Sequence, residues 1–405
     1  MPEPQSTEFF LILITVFGAL VWWLIVAKQL VFRILAACLA FIPAMAFGVA
    51  AVNKYYDYYQ NWNAAISDLT NQGVQAAANV PASGGSKPGV KFGMFLGQSI
   101  DTELAAQAGV TVRLNVRGSL SHIQRRVYVY LPPQYFQSAW QSYRFPVLEL
   151  IHGFPGNPQD WISVLSVNTT LNSMVSQGTA KPTVLVLPDA NGGRGISLQC
   201  LNQWHGPQDD TYLSLDLPRY IGTHLRVQAP GHGWGIAGYS EGGFCAANMG
   251  LQHGNIFSYS GVLSGYFQPS DNQLTDPPRT VSAFHTRKQE RDNTPIEELQ
   301  TLGPRRHIAS FWLGTGGAAR NDVRDSETFQ QLLQNRQPVV PLKIIASGGH
   351  TMYTWRLLLP EMLNWMTPRL AHEAEAADRQ NGVPPAGKQN GTAASSRGQP
   401  QHQGA

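Results

Sequence analysis

The chain has 405 residues, of which 43% are hydrophobic and only 14% charged, well below the roughly 25% charged of an ordinary soluble domain. Its 29 basic and 26 acidic residues leave a formal charge of +3, too balanced for a nucleic-acid binder that works by neutralising phosphates. Three cysteines exclude a disulfide scaffold and a four-cysteine zinc site.

Two uncharged runs come first, Phe9 to Ala27 and Ile34 to Val52, separated by a short stretch holding Lys28 and Arg33. Each covers about 19 residues, roughly 28 Å as a helix, enough to cross a hydrocarbon core. A cleaved signal peptide would show a basic segment before a shorter apolar stretch. Here Glu3 and Glu8 precede the first run, so residues 1–55 read as a transmembrane hairpin rather than a leader or two buried core helices. Lys28 and Arg33 place the connection in the cytoplasm, and both ends of the hairpin outside the plasma membrane. Tyr55, Tyr56, Tyr58, Tyr59 and Trp62 then read as an interfacial aromatic belt. Residues 56–98, with PASGGSKPG at 81–89, read as a linker, and 370–405 as a disordered tail too poor in large apolar residues to order itself.

The remaining unit, 99–369, alternates between strand and helix periods. VTVRLNV (110–116) and RRVYVYLP (125–132) read as an amphipathic, antiparallel lead-in. PVLELI (146–151), TVLVLP (183–188), GWGIAG (233–238), HIASFWLG (307–314) and PLKIIAS (341–347) are short, mostly apolar runs that suit parallel strands buried on both faces. Residues 161–175, 210–225 and 324–336 are helical candidates. This alternation predicts a three-layer α/β domain with a mostly parallel sheet.

The strongest motif is Gly238-Tyr239-Ser240-Glu241-Gly242, between an apolar strand and a small-residue stretch able to begin a helix. That is the context of a nucleophile elbow, a turn so sharp that its flanking positions must be small. A serine needs a base, and the base an orienting acid, in the chain order Ser, Asp or Glu, His. His350 follows the last strand through Gly348-Gly349 and leads into TMYTWRLLLPEMLNWM, where the base is expected. The acid should follow HIASFWLGT; Asp322, read as lying in the loop proper, is the first choice, Asp325 the alternative and Glu327 the third. The oxyanion requires two preplaced N–H groups. One is that of Glu241; the other comes from His152-Gly153-Phe154-Pro155-Gly156, as the N–H of Phe154 or Gly153. His152 precedes the serine and is assigned to packing. No cluster has metal-ligand spacing and no Gly-rich phosphate cradle lies in the folded unit, so neither metal nor cofactor is expected.

VYVYLPPQYF, FPVLELIHGFPGNPQDW, VLVLPDANGG, GYSEGGFCAANMGLQHGNIFSYSGVLSGYF and SGGHTMYTWRLLLPEMLNWM together resemble the "putative esterase" family of α/β-hydrolases, which includes antigen 85 mycolyltransferases, esterase D and enterochelin esterases. The resemblance covers about 125–368 and is nearest to an actinobacterial membrane-anchored branch. It implies an α/β-hydrolase fold with Ser240 as nucleophile, His350 as base, and Phe154 and Glu241 as oxyanion donors. Many relatives carry the acid close after a Gly-Thr or Gly-Asn pair, where Gly316-Gly317 stand here, and the acid stays open. Similar positions hold cysteines in that branch, which implies a Cys200–Cys245 disulfide in an exported domain.

These readings converge on a membrane-anchored, extracytoplasmic serine esterase or acyltransferase, its substrate an acyl ester of lipid-linked kind. The rival is a catalytically silent cell-envelope protein using the same fold for binding.

Overall fold

The computed structural model describes residues 1–69, 92–193, 195–269, 284–303, 306–337 and 339–380. Most of the expected linker, including 81–89, and residues 381–405 of the expected tail lie outside these.

The first apolar run forms helix α1 (Thr7–Val26), opened by the Ser6 hydroxyl accepting the Phe9 N–H. The second forms α2 (Leu30–Tyr56). Both are long and apolar enough to cross a membrane, and most of their side chains face outward. They pack antiparallel: Phe10 meets Phe47 edge-on at 5.2 Å, and Lys54 lies over the Phe10 ring. Arg33 does not lie in the connection. The turn is only Ala27–Gln29, and Arg33 belongs to the first turn of α2, because helix propagation past one basic residue costs little.

Past Tyr56 the chain turns at Asp57 in the left-handed conformation and forms a short helix, α3 (Trp62–Leu69), where only linker was expected. The Trp62 indole donates to the Pro2 carbonyl and its ring meets Phe9 at 5.3 Å, tying α3 to the start of α1.

The folded unit begins earlier than expected, with the hairpin β1 (Phe92–Phe95) and β2 (Gln98–Asp101). The main sheet contains β3 (Val110–Arg117), β4 (Gln124–Leu131), β5 (Val147–Ile151), β6 (Val184–Pro188), β7 (Trp234–Tyr239), β8 (Tyr259–Leu263), β9 (Ser310–Gly316) and β10 (Leu342–Ile345). Their order is β10-β9-β8-β7-β5-β6-β4-β3. β3–β4 and β4–β6 are antiparallel and the remaining pairs parallel, so the expected three-layer α/β architecture holds; the helices of this unit include α4 (Val167–Ser176), α5 (Leu217–His224), α6 (Glu241–Gln252) and α7 (Arg320–Gln334). Alternate residues of a strand face opposite layers. Val147 and Ile151 join one core with Ile236 and Phe244, while Leu148 and Leu150 join the other with Tyr239 and Leu358. Each such aliphatic side chain contributes about 1.5–3 kcal/mol by its burial.

β8 was not among the expected strands. Its sequence, YSGVL, carries Ser260 and Gly261 at its middle, yet it is central, pairing β7 and β9. Small residues are what the place allows: a side chain on Gly261 would press on the sulfurs of Met362 and Met366.

The last helix, α8 (Met352–Gln380), corrects the expected tail boundary. It runs eleven residues beyond 369, with Leu370, Ala371, Ala374 and Ala377 buried. The Gln228 amide donates to the Ala374 carbonyl and the Gly233 N–H to the Glu373 carboxylate. Leu370 and three alanines at three- and four-residue spacing make a narrow stripe that lies close against the sheet, so a composition too poor for a core of its own is ordered by one already present.

Candidate active site

The loops leaving the C-terminal ends of β5, β7, β9 and β10 converge, the usual place for a site in an open parallel sheet. β7 ends at Tyr239, and Ser240 takes φ 56°, ψ −118° before helix α6 (Glu241–Gln252) begins. Such a backbone is strained for a residue with a side chain. It is enforced from both sides, since a Cβ at Gly238 would collide with the carbonyl of Gly242, and one at Gly242 with that of Ile151. The strand–helix angle is thus written into two glycines, and the serine is left at the tip.

His350 lies between β10 and α8. Its Nε2 is 2.9 Å from Ser240 Oγ and its Nδ1 is 2.6 Å from Asp322 Oδ2. With Nδ1–H donating to the carboxylate, Nε2 is left to accept the serine proton. The Trp355 ring meets the imidazole edge-on at 5.2 Å and stacks on Tyr239 at 4.6 Å, holding the ring from the core side.

Asp322 does not lie in a loop. Helix α7 (Arg320–Gln334) begins sooner than expected and Asp322 is in its first turn. Asp325, one turn on, pairs outward with Arg324, and Glu327 is exposed. The structure brings neither of them to His350.

On the other side of Ser240, Gly153 faces the Tyr239 ring so closely that a Cβ there would stand 2.7 Å from it and 3.1 Å from Ser240 Cβ. His152 is fully buried, which lowers its pKa and keeps it neutral. Its Nδ1 pairs with the Gly153 carbonyl at 2.8 Å and its Nε2 accepts the Ala190 N–H at 3.1 Å. In a planar trans peptide, C=O and N–H point oppositely. Holding the Gly153 carbonyl therefore turns the Phe154 N–H away from His152.

The Glu241 side chain leaves the site and enters the domain, where it accepts the Ser197 hydroxyl. Burial pushes its pKa up to about 7 despite that bond. Cys200 and Cys245 are joined by a disulfide that fastens the same loop to α6; the third cysteine, Cys38, is on α2 and free. Among the described residues, no group of three or more His, Cys, Asp or Glu is placed to hold a metal ion.

A cavity of about 520 Å³ opens over Ser240 and His350. Gly153, Phe154, Met352 and Trp355 line one part of it; Val52, Tyr56, Tyr58 and Tyr59 line another. This second wall escaped the sequence reading, which gave the tyrosines to the bilayer surface alone. Tyr58 is instead hydrogen-bonded to Asp160, which also accepts the Tyr239 hydroxyl. Arg356, the one cation in the apolar stretch TMYTWRLLLPEMLNWM, holds the Asp57 carboxylate at 2.6 Å and the carbonyls of Asp57 and Tyr58. A single cation within this largely apolar stretch was the available signal that a partner had to exist.

The sequence profile of the family described as "Putative esterase" matches residues 121–366. An uncharacterized protein of Corynebacterium glutamicum is 26% identical over 275 residues, 66% of this chain and 63% of that protein. The MPT51 antigen of Mycobacterium leprae is 31% identical over 111 residues, 25% of this chain and 34% of the antigen. The match thus spans less than two thirds of either relative. Among solved structures, a ferulic acid esterase superposes with a TM-score of 0.56 at 22% identity, covering 65% of this chain and 98% of its own.

Proposed function

The chain belongs to the "Putative esterase" family of α/β-hydrolases, and from that membership we propose a membrane-anchored serine esterase working through an acyl-enzyme. The observation that carries the reading is the imidazole of His350, within hydrogen-bond reach of Ser240 on one side and Asp322 on the other. Ser240 Oγ attacks the acyl carbonyl while His350 Nε2 takes the serine proton, and Asp322 stabilises the resulting imidazolium. The N–H groups of Phe154 and Glu241 are assigned to the tetrahedral oxyanion. Collapse breaks the ester bond, and His350 returns the proton to the departing alcohol. Water, deprotonated by the same histidine, then releases the acid and restores Ser240. A sugar or lipid alcohol in place of that water would make the same site an acyltransferase.

The two long apolar helices support an anchor in the plasma membrane, and Lys28 with Arg33 favour a cytoplasmic turn and an outward-facing domain. An anchored site works at the surface of its own bilayer, which favours acyl esters of lipids or glycolipids as substrates.

Labelling of the full-length chain with a fluorophosphonate is the decisive experiment, because only an activated serine reacts. The expected result is a single adduct on Ser240, absent from Ser240→Ala and from His350→Ala. A folded wild-type chain that stays unlabelled would replace this reading by that of a non-catalytic envelope protein.

A further inference from the structure

The wall of the cavity that faces Ser240 is built from the membrane hairpin itself. α2 ends at Tyr56, and Val52 and Tyr56 line the space above the serine. The segment that follows is tightly held. Asn53 receives the Tyr59 N–H at 2.7 Å and donates to the Tyr59 carbonyl at 2.9 Å, closing the turn on the helix. Arg356 grips Asp57 and Tyr58 through three bonds and reaches the Val164 carbonyl with its Nε. Tyr58 is bonded to Asp160 beneath the site. With these ties the end of α2 is part of the catalytic domain's surface and not a tether that swings beside it.

The outward face of α2 continues this wall into the bilayer. Ile42, Met45, Val49, Val52 and Tyr56 are all exposed, and their spacing of three and four residues puts them on one face of the helix. The stripe is roughly 21 Å long at 1.5 Å per residue. Its upper end, Val52 and Tyr56, is the part that lines the cavity. No charged residue interrupts it.

We propose that this stripe and the Asp57–Tyr59 segment form the acyl path of the enzyme: the acyl chain of a lipid ester in the same bilayer lies along Val49, Val52 and Tyr56, and its carbonyl reaches Ser240 without the chain leaving an apolar surface. The proposal rests on the esterase reading above and adds the source of the substrate and the element that selects it. Continuity of the lipid-facing helix with the cavity argues for a bilayer-embedded acyl group over a soluble ester. A water-borne substrate would need no part of the membrane helix in its site. Arg356 is then a positioning residue, keeping the wall against the site without touching the substrate.

The test uses the full-length chain in phosphatidylcholine–phosphatidylglycerol vesicles. A hexadecyl fluorophosphonate carrying a diazirine at the far end of its chain is allowed to react at Ser240 and is then photolysed. Adducts are expected on the α2 peptide containing Met45, Val49 and Val52; adducts confined to the loops of the catalytic domain would overturn the path. In parallel, Val52→Trp is compared with Val31→Trp, an exposed position at the other end of α2, with rates normalised to the fluorophosphonate-reactive fraction. Val52→Trp should lower the ratio of p-nitrophenyl palmitate to p-nitrophenyl butyrate hydrolysis at least tenfold, and Val31→Trp should leave it unchanged. Arg356→Ala should lower the same ratio and Arg356→Lys restore part of it. A ratio that does not move in Val52→Trp sinks the path while labelling at Ser240 leaves the esterase reading intact. Absence of any Ser240 adduct in the wild type would remove both.

Discussion

His350 and Asp322 are 28 residues apart in the chain, yet their side chains meet at 2.6 Å because two glycines let the intervening loops touch. A Cβ on Gly316 would collide with the Gly348 carbonyl, and one on Gly317 would stand 2.7 Å from that of Ala346. The Gly317 and Ala318 N–H groups donate across the gap to Ile345 and Gly348. The loop before α7 and the loop before His350 are therefore held together, which fixes where the Asp322 carboxylate and the His350 imidazole can be.

Asp322→Asn should lower kcat/KM for a short p-nitrophenyl ester by roughly 10³–10⁴, since an amide neither selects the Nδ1–H tautomer nor stabilises the imidazolium. Asp325→Asn should stay within about threefold of wild type, because its partner is the exposed Arg324. A dead Asp325→Asn beside an active Asp322→Asn would reverse the assignment.

Ser240→Ala and His350→Ala should each reduce hydrolysis by on the order of 10³ or more, and the double variant should be little worse than either alone, because such groups act as a unit. Multiplicative losses in single-turnover kinetics would show that His350 serves another step.

Glu241 gives a pH dependence of stability. Burial raises its pKa from 4.5 to about 7, so the native state holds the proton more tightly than the unfolded one. The stabilisation from this group is full below about pH 4.5 and is lost as pH rises through about 7. Glu241→Gln stays neutral throughout. Its stability relative to wild type should rise between pH 5 and pH 8, by up to roughly 3 kcal/mol, read from urea unfolding at several pH values. A pH-independent difference would mean that the carboxyl ionises as freely when folded as when unfolded.

Orientation can be read in a Cys38→Ala background. Gln29→Cys should react with a membrane-impermeant maleimide only after cells are permeabilised, whereas Ser396→Cys should react on intact cells. The opposite pattern would place the domain in the cytoplasm and leave the hydrolase chemistry untouched.

Some of this molecule was fixed by local chemistry. Two charge-free runs can only be long apolar helices, and alternating apolar runs with turn residues between them specify a three-layer sheet domain. The glycines around Ser240 also speak locally, since the turn they permit involves residues only two positions away. His350 was legible because few histidines follow the last strand. What stayed open depends on contacts distant in sequence. No local rule says that α7 starts at Arg320, and that start puts Asp322 rather than Asp325 beside the imidazole. β8 was passed over because its central glycine, Gly261, is required by Met362 and Met366, about a hundred positions away. Tyr58 and Tyr59 carry the composition of a bilayer-surface belt, and composition cannot say which apolar surface a ring will cover. Only the folded chain, with Arg356 drawn onto Asp57 across 299 residues, turns the end of α2 into a wall of the cavity over Ser240.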